Sequence, residues 1–361
     1  MFAATALIAG VGVPWYAWHS GLDTAILLWT LLLCALNGLS ITAGYHRLWA
    51  HRSYAARWPL RCLLMLFGSM AVQNSILVWA SGHRTHHRHV DDNERDPYSA
   101  GRGFWFSHIG WMLRAYPSGQ LCLDHARDLC ADPLVMFQHR HYLKLVLLTN
   151  VGIPLLIGYA CGHVLESLLL CGVLRLVLCH HSTFFINSLA HTLGSQPYGD
   201  ENSARDNAFF ALLTWGEGYH NYHHLFQWDY RNAIRWWQYD PTKWLIYSLS
   251  WFGLTHDLKR VPDFSVRRAQ LTMLFKKAEQ RLALAPESAL EVCKQRLSHE
   301  YEHFVLAMNE WGKLKEEWYA KTKADLLNGW ESSAYRDRFR EIELRLKLLQ
   351  KRVQSLHAQL A

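Results

Sequence analysis

Eight histidines fall in three short clusters: His46 and His51 in the run His46-Arg47-Leu48-Trp49-Ala50-His51, then His83, His86 and His87, then His220, His223 and His224. Imidazole binds first-row metals through a neutral ring nitrogen. The second and third clusters read His-x-x-His-His. On an α-helix, positions i, i+3 and i+4 share a face, so each of these clusters can aim three ring nitrogens at one point. His46 and His51 are i, i+5, about 140° apart at 3.6 residues per turn. One straight helix face cannot present both. Either the helix ends between them or the two rings serve different metals. Eight imidazoles exceed the three or four that a single zinc uses, which points to two metals.

The remaining chain must bring the clusters together. Residues 1–46 contain no Lys or Arg. Two apolar runs, 2–18 and 24–45, flank a short uncharged-to-acidic loop at His19 to Asp23 and approach the length of a bilayer span. Arg47, Arg52, Arg57 and Arg61 follow and place that end in the cytoplasm by the positive-inside rule. Residues 143–159 and 165–186 form a second such hairpin, and Arg175 within it should face protein rather than lipid. The apolar run 60–80 lies between the first two clusters. One crossing there would put them on opposite membrane faces, and Gln73-Asn74 disfavours lipid exposure. A helix lying in or dipping into the interface is expected instead. No basic stretch precedes the first apolar run, so a cleaved signal peptide is not expected.

The fold expected is an all-α membrane protein: four transmembrane helices in two hairpins beneath a cytoplasmic helical cap that carries the histidine clusters. A mean hydropathy of -0.08 is an average over two unlike parts. From about residue 266 the chain becomes rich in Lys, Glu and Leu. Tyr335, Phe339, Ile342, Leu346, Leu349, Val353, Leu356 and Leu360 alternate spacings of four and three, a heptad-like seam. Leu297, Tyr301, Phe304, Met308 and Trp311 form an earlier stripe, with Pro286, Asn328-Gly329 and Ser332-Ser333 as punctuation. Residues 1–265 are read as the membrane domain and 266–361 as a soluble, coiled-coil-like helical hairpin or small bundle. Seventeen Trp suit a long membrane–water interface, and a net charge of +7 is assigned to basic cytoplasmic loops rather than to nucleic-acid binding. Eight Cys without a Cys-x-x-Cys pair indicate neither a disulfide framework nor a thiolate metal site.

Five segments carry a resemblance: residues 38–49, 83–87, 103–111, 187–191 and 216–224, together with the spans between them. They are similar to the membrane fatty acyl desaturases of the stearoyl-CoA, Δ9 type, over roughly residues 1–260. The resemblance implies a di-iron centre held by His46, His51, His83, His86, His87, His191, His220, His223 and His224, with Asn187 acting through a water. It implies Gln73, Trp79, Thr183 and Phe184 at the bend of an acyl tunnel, and Cys34 and Gly38 near its end, so that Gly38→Phe should shorten the preferred chain. The implied reaction is O₂-dependent insertion of a cis double bond, at Δ9, into long-chain acyl-CoA. Removing hydrogen from an unactivated methylene needs an oxidant that side chains lack and a metal centre supplies.

Ala80-Ser81-Gly82 stands where the animal enzymes carry a charged pair that contacts the carrier. Arg84, Arg88, Arg102 and Arg114 are the alternative phosphate binders. Acyl-CoA is the first reading of the carrier and a membrane phospholipid the second. No His-Pro-Gly-Gly haem stretch occurs, so electrons are expected from a separate ferredoxin or b-type cytochrome with its reductase. The expected setting is a bacterial inner membrane with the active site and both termini cytoplasmic. A di-iron membrane hydroxylase uses similar boxes and is the rival chemistry. A metal transporter would spread its ligands through the bilayer depth and is disfavoured.

Overall fold

The computed structural model describes residues 1–284, 287–323 and 329–359. Pro286, Asn328 and Leu360 lie outside the described residues. The chain divides into two compact units, residues 1–196 with 201–260, and residues 197–200 with 261–361.

The first unit is almost wholly helical. Helix α1 runs over residues 2–20 and ends where Gly21 turns at φ +73°. Helix α2, Thr24–Ala50, starts where Asp23 Oδ1 accepts from the Ile26 amide at 3.1 Å, satisfying one of the free N–H groups of the first turn. Helices α6, Tyr142–Cys161, and α7, Val164–His191, form a hairpin closed by Gly162 in the left-handed region. These three helices are long and apolar enough to cross a membrane. Their outward faces expose Leu28, Leu31, Leu147, Leu156 and Leu178, the surface a lipid solvent requires. Helix α1 is less apolar because Trp15, Tyr16 and His19 occupy its last turns. It packs through Val13 into the core made by Ile26, Leu33, Met70, Ile157, Leu170 and Cys171.

The run expected to lie at the interface is not one helix. It is two, α3, Trp58–Ser69, and α4, Ile76–Arg88, each well short of the ~20 residues of a span. Between them Val72 and Asn74 adopt positive φ. Gln138, fully buried on helix α5, Pro133–Arg140, holds the break open. Its Nε2 donates to Tyr45 Oη (2.5 Å) and Ser69 Oγ (2.9 Å), and its Oε1 accepts from the Ile76 amide (2.8 Å). Ser75 then caps α4.

Arg175 is fully buried, as its position in an apolar run required. Its guanidinium donates to the side chains of Asn37 and Asn150 and to the carbonyls of Met70, Cys171 and Gly172. One side chain thus ties α2, α6 and α7 to the α3–α4 break.

The first unit ends with helices α8, Ala208–Leu213, α9, His220–Leu225, and α10, Pro241–Trp251. Among the described residues the second unit is a three-helix bundle of α11, Asp263–Leu282, α12, Glu287–Lys323, and α13, Gly329–Gln359. Tyr335, Ile342, Leu346, Leu349 and Val353 pack with Leu297, Phe304, Ala307 and Leu314. The heptad seam is buried as its spacing demands. It faces two helices and not one, because α11 adds Phe264, Leu271, Phe275 and Ala278 to the same core. Helix α13 runs unbroken through Ser332-Ser333.

Candidate metal centre

The final stretch of α2, Ser40–Ala50, is π-helical and buried throughout. In a π-helix the amide of residue i+5 bonds the carbonyl of residue i, so i+5 sits above i. The His51 amide donates to the His46 carbonyl at 3.0 Å, and the two rings lie 4.7 Å apart. The i, i+5 spacing that no α-helical face accommodates is the repeat of this wider helix. Of the two readings drawn from α-helical geometry, the first holds, since the helix ends at Ala50, between the two histidines; the second is corrected, because both rings stand in one cluster.

Nine imidazoles converge in two groups: His46, His51, His83, His87 and His223 in one, and His86, His191, His220 and His224 in the other. Within each group one nitrogen per ring lies within 4.8 Å of all the others. The expectation that each His-x-x-His-His box aims three rings at one point does not hold. Helix α4 sends His83 and His87 to the five-ring group and His86 to the four-ring group. Helix α9, His220–Leu225, sends His220 and His224 to the second and His223 to the first. The reason is the helical pitch. Positions i and i+4 point about 40° apart, while i+3 and i+4 are about 100° apart, so i+3 faces a different centre.

The inward nitrogens are Nε2. His46 and His223, His87 and His223, and His220 and His224 approach at 3.0 Å through these atoms, His51 and His83 at 2.9 Å, and His191 and His220 at 3.1 Å. The outward nitrogens are Nδ1, and four have acceptors. His46 Nδ1 lies 3.0 Å from Glu217 Oε2, His86 Nδ1 2.9 Å from Asp96 Oδ1, His83 Nδ1 3.1 Å from Tyr98 Oη, and His191 Nδ1 2.8 Å from Ser203 Oγ. Ser203 in turn donates to Asp91 at 2.7 Å. An Nδ1–H held outward fixes the tautomer and leaves the Nε2 lone pair pointing inward, as in metal-bound histidines.

Electrostatics favours the same state. Burial, then the neighbouring imidazoles, hold the rings of His51, His83, His87, His220, His223 and His224 well below the ordinary histidine range, so they stay neutral. Glu217 behaves oppositely. Burial raises its carboxyl, but His46 and Arg47 outweigh burial and hold it at about 2, as an anion. Neutral imidazole suits iron, copper, nickel and zinc alike. A set of five exceeds a closed tetrahedral zinc site, and sets of five and four leave open positions in a six-coordinate shell. The residues fit a pair of iron ions.

A cavity of about 420 Å³ reaches this centre. His46, His83 and His220 form part of its wall, and Asn187 lines it too. So do Gln73, Trp79, Thr183 and Phe184. Trp79 stacks on His83 at 4.9 Å and donates through Nε1 to Gln73 Oε1 (3.2 Å), and Gln73 Nε2 donates to Thr183 Oγ1 (2.9 Å). Cys34 and Gly38 are not among the lining residues.

The four arginines differ. Exposed Arg114 lines the cavity. Arg84 donates from both terminal nitrogens to Asp128 and from its side chain to the carbonyls of Trp49 and Ala50, which engages its donors. Arg88 bonds His125, and Arg102 lies over the rings of Phe106 (3.5 Å) and Tyr116 (4.6 Å).

A model of the family described as "Fatty acid desaturase" matches residues 24–251. This chain belongs to the fatty acid desaturase family. It is 45% identical over 280 residues to acyl-CoA desaturase 1 of Saccharomyces cerevisiae, covering 75% of this chain and 54% of that protein. It is 44% identical over 244 residues to an acyl-CoA Delta12-desaturase of Acheta domesticus, covering 65% and 67%. It is 37% identical over 276 residues to the Delta(9)-fatty-acid desaturase fat-7 of Caenorhabditis elegans, covering 74% and 80%. The chain spans about half the length of the fungal relatives it matches. These relatives are eukaryotic.

Glu217, Asp96, Tyr98, Ser203 and Asp91 escaped the reading of the sequence. Asp96 lay in an acidic stretch read as loop. Glu217 stood three positions before His220 of the third box, and its charge between two glycines was the available signal.

Proposed function

We propose that this desaturase-family protein inserts a cis double bond, at Δ9, into long-chain saturated acyl-CoA with consumption of O₂. The observation that carries the reading is the two-group convergence of nine imidazoles beside an apolar cavity whose wall includes His46, His83 and His220. Two irons held by His46, His51, His83, His87 and His223 and by His86, His191, His220 and His224, with Asn187 acting through water, would supply the oxidant that side chains lack. The chain's own residues do the positioning. Gln73, Trp79 and Thr183 form a hydrogen-bonded rib that bends the acyl chain beside His46 and His83, so two adjacent methylenes stop there. Arg114 at the exposed end offers a cation for the carrier's phosphates. Arg84, held by Asp128, serves the fold instead.

The Δ9 position is supported by the nematode relative's name and not by the cricket relative's Δ12. In the membrane, α1 acts as a fourth span beside α2, α6 and α7. The histidine boxes and both termini are then cytoplasmic, in a bacterial inner membrane on our reading. A separate ferredoxin or b-type cytochrome delivers electrons.

The test is expression in a host stripped of its own oxygen-dependent desaturase, with gas chromatography–mass spectrometry of the fatty acids and metal analysis of the purified chain. A Δ9 alkene two mass units below its saturated parent, absent without O₂ and lost in His86→Ala, is the expected result. A product sixteen units heavier would make the protein a hydroxylase. No new lipid from a folded chain carrying two irons would overturn the proposal.

A further inference from the structure

We infer that Trp215 is the residue that closes the far end of the acyl cavity and so sets the longest chain the protein accepts; this rests on the acyl-chain reading of the cavity given above. Three observations meet at this side chain.

The first is a close approach. A Cβ built on Gly38 would fall on the indole Nε1 and Cε2 of Trp215. The ring therefore lies flush against the bare backbone of α2. Gly38 is small not to leave room for substrate but because Trp215 already fills that room. The second is position. Thr42 lines the cavity, and Gly38 is one helical turn further along α2, with Thr42 Oγ1 lying 3.1 Å from the Gly38 carbonyl. Ile41 and Thr42 are the lining residues on α2 ahead of His46, and the cavity reaches neither Gly38 nor Cys34. On α2 the lining therefore ends at Ile41 and Thr42, one turn short of the Gly38 backbone that the indole covers, and Trp215 stands behind that turn. The third is strain. Trp215 has φ +58°, a region that bulky side chains rarely adopt.

Specific bonds hold it there. Thr242 Oγ1 donates to the Trp215 carbonyl at 3.0 Å and lies 2.6 Å from Thr42 Oγ1. The Gly216 amide donates to the Ala211 carbonyl and the Glu217 amide to the Thr214 carbonyl. The plug is thus bonded to the cavity wall it closes. It also belongs to the turn that delivers Glu217 to His46, so the depth of the cavity is measured from the same turn that positions the metal centre.

A hydrophobic pocket discriminates by roughly 10–200-fold per methylene that does or does not fit. The experiment feeds saturated acyl chains of 14 to 20 carbons to cells expressing the full-length protein and reads the ratio of long to short alkene products. Trp215→Ala should raise that ratio by at least tenfold. The double variant Trp215→Ala with Gly38→Phe, which returns a ring to the vacated space from the opposite side, should bring it back toward the wild-type value. Gly38→Phe alone must displace the indole and should shorten the profile. An active Trp215→Ala with a ratio within twofold of wild type would overturn the inference.

Absence of any alkene from the wild type would instead strike at the proposed function. A binding arm covers that outcome and any variant of low yield. Thermal stabilisation of purified wild type and of the milder Trp215→Leu by saturated acyl-CoA of 16, 18 and 20 carbons should favour the longer chains in the variant. An identical order in both proteins would count against Trp215 as the wall.

Discussion

Glu217 and Asp96 give each imidazole group one histidine backed by a carboxylate, His46 in the five-ring group and His86 in the four-ring group. Such partners typically change metal affinity by 10–100-fold. Glu217→Gln should weaken the first site and Asp96→Asn the second, each by about that factor. Metal analysis at limiting iron should then find one ion retained per chain. Loss of both ions from both variants, or of neither, would contradict the assignment. Glu217→Gln should still fold, because Arg47 keeps its two bonds to Asp240 at 3.0 and 3.1 Å. At this scale the sequence was most legible where function fixes residue type. The clusters of His46, His83 and His220 announce metal chemistry by donor type and spacing. Their supports do not, since Ser203 behind His191 is an ordinary serine until folding sets it against Asp91. Trp215 was equally silent, because a tryptophan beside glycines reads as packing until the glycine that touches it, Gly38, is known to be far away in sequence.

Among the elements, the helical runs were legible from hydropathy, but their irregularities were not. The π-helical end of α2 leaves no mark except the His46–His51 spacing, which α-helical geometry turned into a dilemma. The α3–α4 break was hidden inside one apolar run because its cause, Gln138, lies some sixty residues downstream. Arg175 was legible as a buried cation, and its role is to join elements. Arg175→Leu would take the guanidinium away from five oxygen acceptors in three helices and a turn; the Gly172 carbonyl keeps the backbone amide of residue 175, and each buried acceptor left with no other donor costs about 1–3 kcal/mol. Allowing for relaxation, a destabilisation of about 3 kcal/mol or more is expected. It should appear as a fall in melting temperature in detergent, and a melting temperature equal to wild type would show that the tie carries no weight.

For the whole molecule, the chain divides into two compact units, the second holding residues 261–361 together with 197–200. The number of helices that meet in the second unit was not legible, since α11 lacks a heptad repeat clear enough to be counted with α12 and α13. Leu346 is completely buried at the centre of that bundle. Leu346→Ala should cost about 2–5 kcal/mol there. Hydrogen exchange across residues 263–359 of the full chain should accelerate while metal content stays at the wild-type level, because all nine imidazoles belong to the other unit. Iron loss in this variant would mean that the bundle supports the centre. Among the described residues three helices meet the length and apolarity of a span against four expected, the difference resting on the polar aromatic end of α1.

His86 and His87 are neighbours in the chain, yet they belong to different groups, and so are His223 and His224. Two peptide links therefore stitch the two holders together from opposite sides. Adjacent Cα atoms stay 3.8 Å apart whatever the rest of the protein does. The separation of the two imidazole groups is thus limited by covalent chemistry at two points, so breathing of the spans can tilt one group against the other but cannot part them beyond the reach of neighbouring side chains.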